Sequence, residues 1–95
     1  MISNNLFSLK GKTALVTGGS TGIGLMATVG LVSAGAKVFI VSRKLENCQN
    51  AAKELNNYGF EGEVIPFRGD LSSEAGINNI INEIYSKNSK LHILI

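Results

Sequence analysis

Short β-branched runs alternate along this chain with longer stretches whose apolar residues recur at helical spacing. Thr13-Ala14-Leu15-Val16-Thr17 reads as a first strand and Lys37-Val38-Phe39-Ile40-Val41 as a second. Glu63 to Arg68 reads as a third, and Leu91-His92-Ile93-Leu94-Ile95 as a fourth in which the chain ends. Between the strands, Ile23 to Ala34 predicts a helix closed by Gly35 in a left-handed cap. Leu45 to Asn57 predicts a second helix, with Leu45, Cys48, Ala51, Ala52 and Leu55 on one face and Gly59 as its stop. The third runs from about Ser73 to Ser86, and Ile77, Ile80, Ile81 and Ile84 form its apolar stripe.

The order β-α-β-α-β-α-β implies parallel strands joined by right-handed crossovers, an α/β fold with a doubly wound sheet. The first two strands are apolar nearly throughout, as strands covered on both faces are. In a sheet ordered 3-2-1-4 the third strand is an edge. Pro66 lies in that strand, where a missing backbone donor is tolerated. Handedness puts the first two helices on one face and the third on the other. The expected result is an incomplete sheet, with apolar surface and a strand edge left open.

Composition narrows the class. With 95 residues, residues 1–95 form at most one domain. A net charge of +2, no run of consecutive basic residues and few aromatics argue against a nucleic-acid partner. Cys48 is the sole cysteine, so it forms no internal disulfide, and no metal-binding cluster is present; both fit a reducing, cytoplasmic location. Residues 1–10 lack the basic start and apolar core of a secretory signal. The apolar stretch from Ile23 to Val32 is too short for a bilayer and is broken by Gly24 and Gly30, so no membrane partner is expected.

The chemistry is concentrated in Thr17-Gly18-Gly19-Ser20-Thr21-Gly22-Ile23-Gly24, between the first strand and the first helix. A phosphate there needs a sharp turn, a close backbone approach and free N–H groups at a helix N-terminus. Gly18, Ser20, Thr21, Gly22, Ile23 and Gly24 are the candidate residues, in a G-x-x-x-G-x-G spacing that begins at the strand end. The usual G-x-G-x-x-G/A spacing fits only from Gly22, four residues late. A glycine-rich turn without a ligand is the bland alternative. An ATP-type phosphate loop is disfavoured, since no Lys-Ser or Lys-Thr pair follows the glycines.

Thr17-Gly18-x-x-x-Gly22-x-Gly24, preceded by Gly11-Lys12-Thr13-Ala14-Leu15-Val16, resembles the cofactor loop of the short-chain dehydrogenase/reductase family. The resemblance extends from about Leu6 to Ile95 and implies a Rossmann-type nucleotide-binding domain. Leu9-Lys10-Gly11, Gly35-Ala36-Lys37-Val38-Phe39-Ile40 and Asp70-Leu71-Ser72-Ser73-Glu74-Ala75-Gly76 look most like its 3-oxoacyl reductase branch, including the rhamnolipid-biosynthesis type.

NAD sites usually carry an acidic residue about 20 positions after the glycines. Here that region reads Val41-Ser42-Arg43-Lys44, with no acid before Glu46. A carboxylate would repel a ribose 2′-phosphate, whereas Arg43 can pair with it and Ser42 can donate to it. The expected cofactor is therefore NADP(H), and the resemblance implies the same; solvation of a loop by Arg43 and Lys44 is the competing reading. The resemblance also implies that Asp70 binds the adenine amino group and that Leu71 lines the ring pocket. Taken alone, Asp70 could instead cap the third helix, a role open equally to Ser72 or Ser73.

The resemblance implies Ser-Tyr-Lys chemistry with a Tyr-x-x-x-Lys spacing. Neither tyrosine fits, because Gly62 and Ser89 stand four residues after Tyr58 and Tyr85. Both tyrosines read as packing residues, Cys48 as buried packing and His92 as structural. Catalytic residues are thus expected downstream of Ile95, and the chain alone is expected to be inactive. The intact protein would be an oxidoreductase acting on a small-molecule carbonyl or alcohol, with a 3-oxoacyl thioester in view, and a homo-oligomer by resemblance. The alternatives are a truncated, non-catalytic nucleotide-binding module or gene remnant, and a fold of the same class serving another nucleotide such as a methyl donor.

Overall fold

Pairing of the β-branched runs frames the molecule. The computed structural model describes residues 8–18, 22–87 and 90–95. Its strands are β1 (Thr13–Thr17), β2 (Lys37–Ser42), β3 (Glu63–Arg68) and β4 (Ile93–Leu94). Alternating with them are the helices α1 (Gly22–Ser33), α2 (Leu45–Asn56) and α3 (Glu74–Ser86). The sheet order is β3-β2-β1-β4 and every pair is parallel, the order expected for a doubly wound Rossmann-type sheet.

Strand alternation sorts the core into two faces. Ala14, Val16, Val38, Ile40 and Val64 pack with Val32 of α1 and Cys48, Ala52 and Leu55 of α2. Leu15, Phe39 and Val41 point the other way and pack with Ile80 and Ile84 of α3. Burial of these side chains is what holds the helices to the sheet, at about 1.5–3 kcal/mol for each large one fully buried. Cys48 is fully buried, as expected of a packing residue. Burial pushes its thiol up from the usual range, and a Ser42 hydrogen bond opposes that.

Pro66 falls on the edge strand β3, opposite Ile40. Two residues earlier, the N–H and C=O of Val64 both face away from β2 and bond the Asn56 side chain, at 2.9 and 3.0 Å. Pro66 shares that outward parity, so its missing donor breaks no rung of the ladder. Asn56 in turn covers part of the outer edge of β3.

Three expectations need correction. β4 spans two residues, not five, although backbone bonds to β1 also reach His92 (N–H to the Thr13 carbonyl, 2.9 Å) and Ile95 (N–H to the Leu15 carbonyl, 3.0 Å). At its start the Thr13 N–H donates to the His92 imidazole Nδ1 (3.0 Å) instead of to a backbone carbonyl. Ile77 remains 40% exposed, since α3 meets the sheet through Ile80 and Ile84. Tyr58 and Tyr85 are 65% and 55% exposed, so neither is a core packing residue. Tyr58 makes a tilted ring contact with Phe60. Among the described residues no helix is long and apolar enough to cross a membrane.

Candidate functional site

The carboxyl ends of β1, β2 and β3 are held side by side beyond the strands themselves. The Gly18 N–H donates to the Val41 carbonyl at 3.3 Å, and the Gly69 N–H donates to the Ser42 carbonyl at 3.1 Å. Three loops therefore leave the sheet as neighbours. They enclose a cavity of about 310 Å³, lined by Gly18, Val41, Ser42, Arg43, Gly69, Asp70, Leu71 and Ser72.

Five candidates from three separate segments thus meet in one place: Gly18, Ser42, Arg43, Asp70 and Leu71. Gly22, Ile23 and Gly24 do not line this cavity; they form the start of α1. Ser20 and Thr21 lie outside the described residues. Gly18 and Gly22 have φ of +66° and +55°, left-handed values that favour glycine at both ends of the loop. The first N–H groups of α1 have no partner within the helix, which leaves them as donors for an anion.

Asp70 is exposed, and its carboxylate is organised locally. Its Oδ1 accepts both the Ser72 N–H (2.9 Å) and the Ser72 hydroxyl (2.6 Å). These bonds, with a smaller contribution from the Arg43 charge, hold the carboxyl below its usual range. Both bonds fall on Oδ1, which leaves Oδ2 to accept from a ligand. Asp70 is not the helix cap: Ser73 fills that role, its hydroxyl accepting the Gly76 N–H at 3.0 Å. The Ser42 hydroxyl accepts the Lys44 N–H at 3.1 Å, and Arg43 is exposed. The cavity lining therefore carries both a cation, Arg43, and an anion, Asp70.

Sequence reasoning passed over Gly69 and Ser72 as site residues. A Cβ at Gly69 would stand 2.8 Å from Ile80 Cγ1 and nearer still to Cδ1, so a side chain there would displace the buried Ile80 side chain. Asp-x-Ser is the signature of a side-chain turn, and it was available as a signal for Ser72. Among the described residues no group of His, Cys, Asp and Glu could hold a metal ion.

A sequence profile described as short chain dehydrogenase matches residues 12–95. The chain belongs to the short-chain dehydrogenase family. Over 89 residues it is 47% identical to the rhamnolipids biosynthesis 3-oxoacyl-[acyl-carrier-protein] reductase of Pseudomonas aeruginosa, covering 94% of this chain and 34% of that protein. The short-chain dehydrogenase/reductase PhomF of Diaporthe leptostromiformis is 39% identical over 95 residues, covering 100% of this chain and 31% of the relative. This chain spans about a third of the length of these curated relatives. Among solved structures, the Pseudomonas aeruginosa RhlG/NADP active-site complex superposes with a TM-score of 0.82 at 45% identity, covering 93% of this chain and 34% of the other. The L-sorbose reductase of Gluconobacter frateurii, complexed with NADPH and L-sorbose, gives 0.83 at 28% identity, covering 93% and 33%.

Proposed function

We propose that this chain is the cofactor-binding part of an NADP(H)-dependent oxidoreductase that moves hydride between nicotinamide and a carbonyl or alcohol. The observation that carries the reading is the single cavity that gathers Gly18, Ser42, Arg43, Asp70 and Leu71 from three loops. Its residues fit a phosphorylated dinucleotide. Arg43 is an exposed cation with no acidic neighbour in its own loop, suited to a ribose 2′-phosphate, and Ser42 stands beside it. Asp70 Oδ2 is open to an exocyclic amine, and Leu71 offers an apolar wall. Ser20, Thr21, Gly22, Ile23 and Gly24 complete the reading as the phosphate-binding loop and helix start.

The division of labour follows from these positions. The bound nicotinamide would supply or take the hydride, while the chain's own residues bind, orient and discriminate. Relatives whose names or structures carry a 3-oxoacyl reductase activity or a bound NADP(H) support this cofactor and a 3-oxoacyl thioester as substrate class. Action on a small molecule by a homo-oligomer in the cytoplasm is part of the same proposal, as is a single nucleotide-binding domain over residues 1–95.

Fluorescence titration of the intact protein with NADPH and NADH tests it. Arg43→Ala should weaken NADPH by about ten- to a hundredfold while NADH is retained, the scale of one lost bond to a charged group. A protein that binds neither cofactor, or an Arg43→Ala variant with unaltered NADPH affinity, would refute the reading.

A further inference from the structure

A second cavity, of about 590 Å³, lies at the opposite end of the sheet, where the strands begin. Its charged and titratable lining comes from the lead-ins to all four strands: Lys12, Lys37, Glu61, Glu63, Lys90 and His92. Glu61 is engaged by Lys10 at 3.8 Å. Among the described residues, no ion pair involves Lys12, Lys37 or Lys90. Glu63 stands beside Lys37 in the β2–β3 register and is the one remaining carboxylate of the lining. Positive charge is therefore in excess.

His92 adds a directed donor. Its Nδ1 accepts the Thr13 N–H at 3.0 Å, so the neutral ring carries its proton on Nε2. That N–H belongs to an exposed side chain on the cavity wall.

Lysines at this end of an α/β sheet commonly serve the last carbonyls of the helices. For α1 that need is already met by backbone. The Gly30 carbonyl accepts the Ala34 N–H (3.3 Å), Leu31 accepts Ala36 (3.1 Å), and Val32 accepts both Gly35 (3.1 Å) and Gly62 (3.0 Å). Lys12 and Lys37 are thus free of that duty.

We propose that this cavity binds a small-molecule oligophosphate, at a site separate from the nucleotide cavity. Ammonium groups act as compact point charges toward phosphate oxygens. Here Lys12 lines the cavity from the lead-in to β1, Lys37 from β2 and Lys90 from the lead-in to β4, with His92 beside them. The volume exceeds that of one oxyanion and suits a ligand carrying several charges. A bound anion would tie the lead-in to β4 to β1 and β2, and so would add to the two hydrogen bonds that Thr13 and His92 already exchange at this end of the sheet.

The test titrates the intact protein with sodium tripolyphosphate at constant ionic strength, reading amide shifts by NMR and melting temperature in parallel. Saturable shifts should centre on Thr13, Lys37, Glu63 and His92, with a rise in melting temperature. The Lys37→Gln/Lys90→Gln double variant should keep its ligand-free melting temperature and lose at least about tenfold in affinity, while Arg43→Ala keeps it. No saturable binding, or equal binding by the double variant, would overturn the site. Loss of binding in Arg43→Ala alone would also overturn it, by locating the anion in the nucleotide cavity.

Discussion

Ser72 donates twice to the same oxygen of Asp70: its hydroxyl lies 2.6 Å and its N–H 2.9 Å from Oδ1. The pair fixes the carboxylate at the exit of β3 and leaves Oδ2 free, without any contribution from the helix that follows.

This pair predicts a titration. The Ser72 hydroxyl bond, then its backbone bond, hold the Asp70 carboxyl below its ordinary range, and Arg43 adds a smaller pull. Removing the hydroxyl in Ser72→Ala should raise the midpoint of the Asp70 carboxyl carbon, followed by NMR. A depressed folded-state value stabilises the fold above the unfolded-state value, and that contribution is lost as pH falls through the folded value. The stability difference between parent and Ser72→Ala should therefore shrink on acidification. An unmoved midpoint would show that the two bonds do not govern the carboxylate.

The sheet and its two faces were legible because both rest on local pattern. The near-continuous apolar runs of β1 and β2 mark strands covered on both sides, and Pro66 marks the edge. The ends of elements were less legible where a side chain takes over a backbone role. No periodicity reveals that His92 Nδ1 would capture the Thr13 N–H at the start of β4. The exposure of Tyr58 and Tyr85 depends on what α2 and α3 pack against, which spacing alone does not specify. In the site, Gly18, Arg43 and Asp70 were each readable from their own segments. Gly69 was not, since its need for a bare Cα comes from Ile80, eleven residues away on another element.

The first turn of α3 carries a steric requirement with a measurable consequence. A Cβ at Gly76 would collide with the Asp70 carbonyl oxygen and come within 3.1 Å of the Ser73 hydroxyl that caps the helix. Helix propensity alone makes Gly→Ala favourable by roughly 1 kcal/mol. Overpacking of this kind typically costs about 1–3 kcal/mol and should offset that gain. Gly76→Ala should therefore lower stability in urea, and should weaken nucleotide binding by displacing Asp70. A stabilised variant would show that the Asp70–Gly76 approach relaxes freely.

The edge of β3 gives the last prediction. Asn56 bonds both the N–H and the C=O of Val64, a residue that is only 2% exposed. In Asn56→Ala those two backbone groups lose their partner on the outer side of the strand. An unsatisfied group of this kind costs about 1–3 kcal/mol where water cannot reach it. Denaturant midpoints should fall accordingly while the slope stays constant. The freed groups also become a template for pairing with another chain, so light scattering on storage should rise faster than in a destabilised control such as Gly76→Ala. Asn56→Asp separates the two roles: its carboxylate still accepts the Val64 N–H, cannot donate to the carbonyl, and places a charge on the edge. It should be destabilised yet remain dispersed. Aggregation of Asn56→Asp at the rate of Asn56→Ala would mean that stability alone, and not edge pairing, controls association.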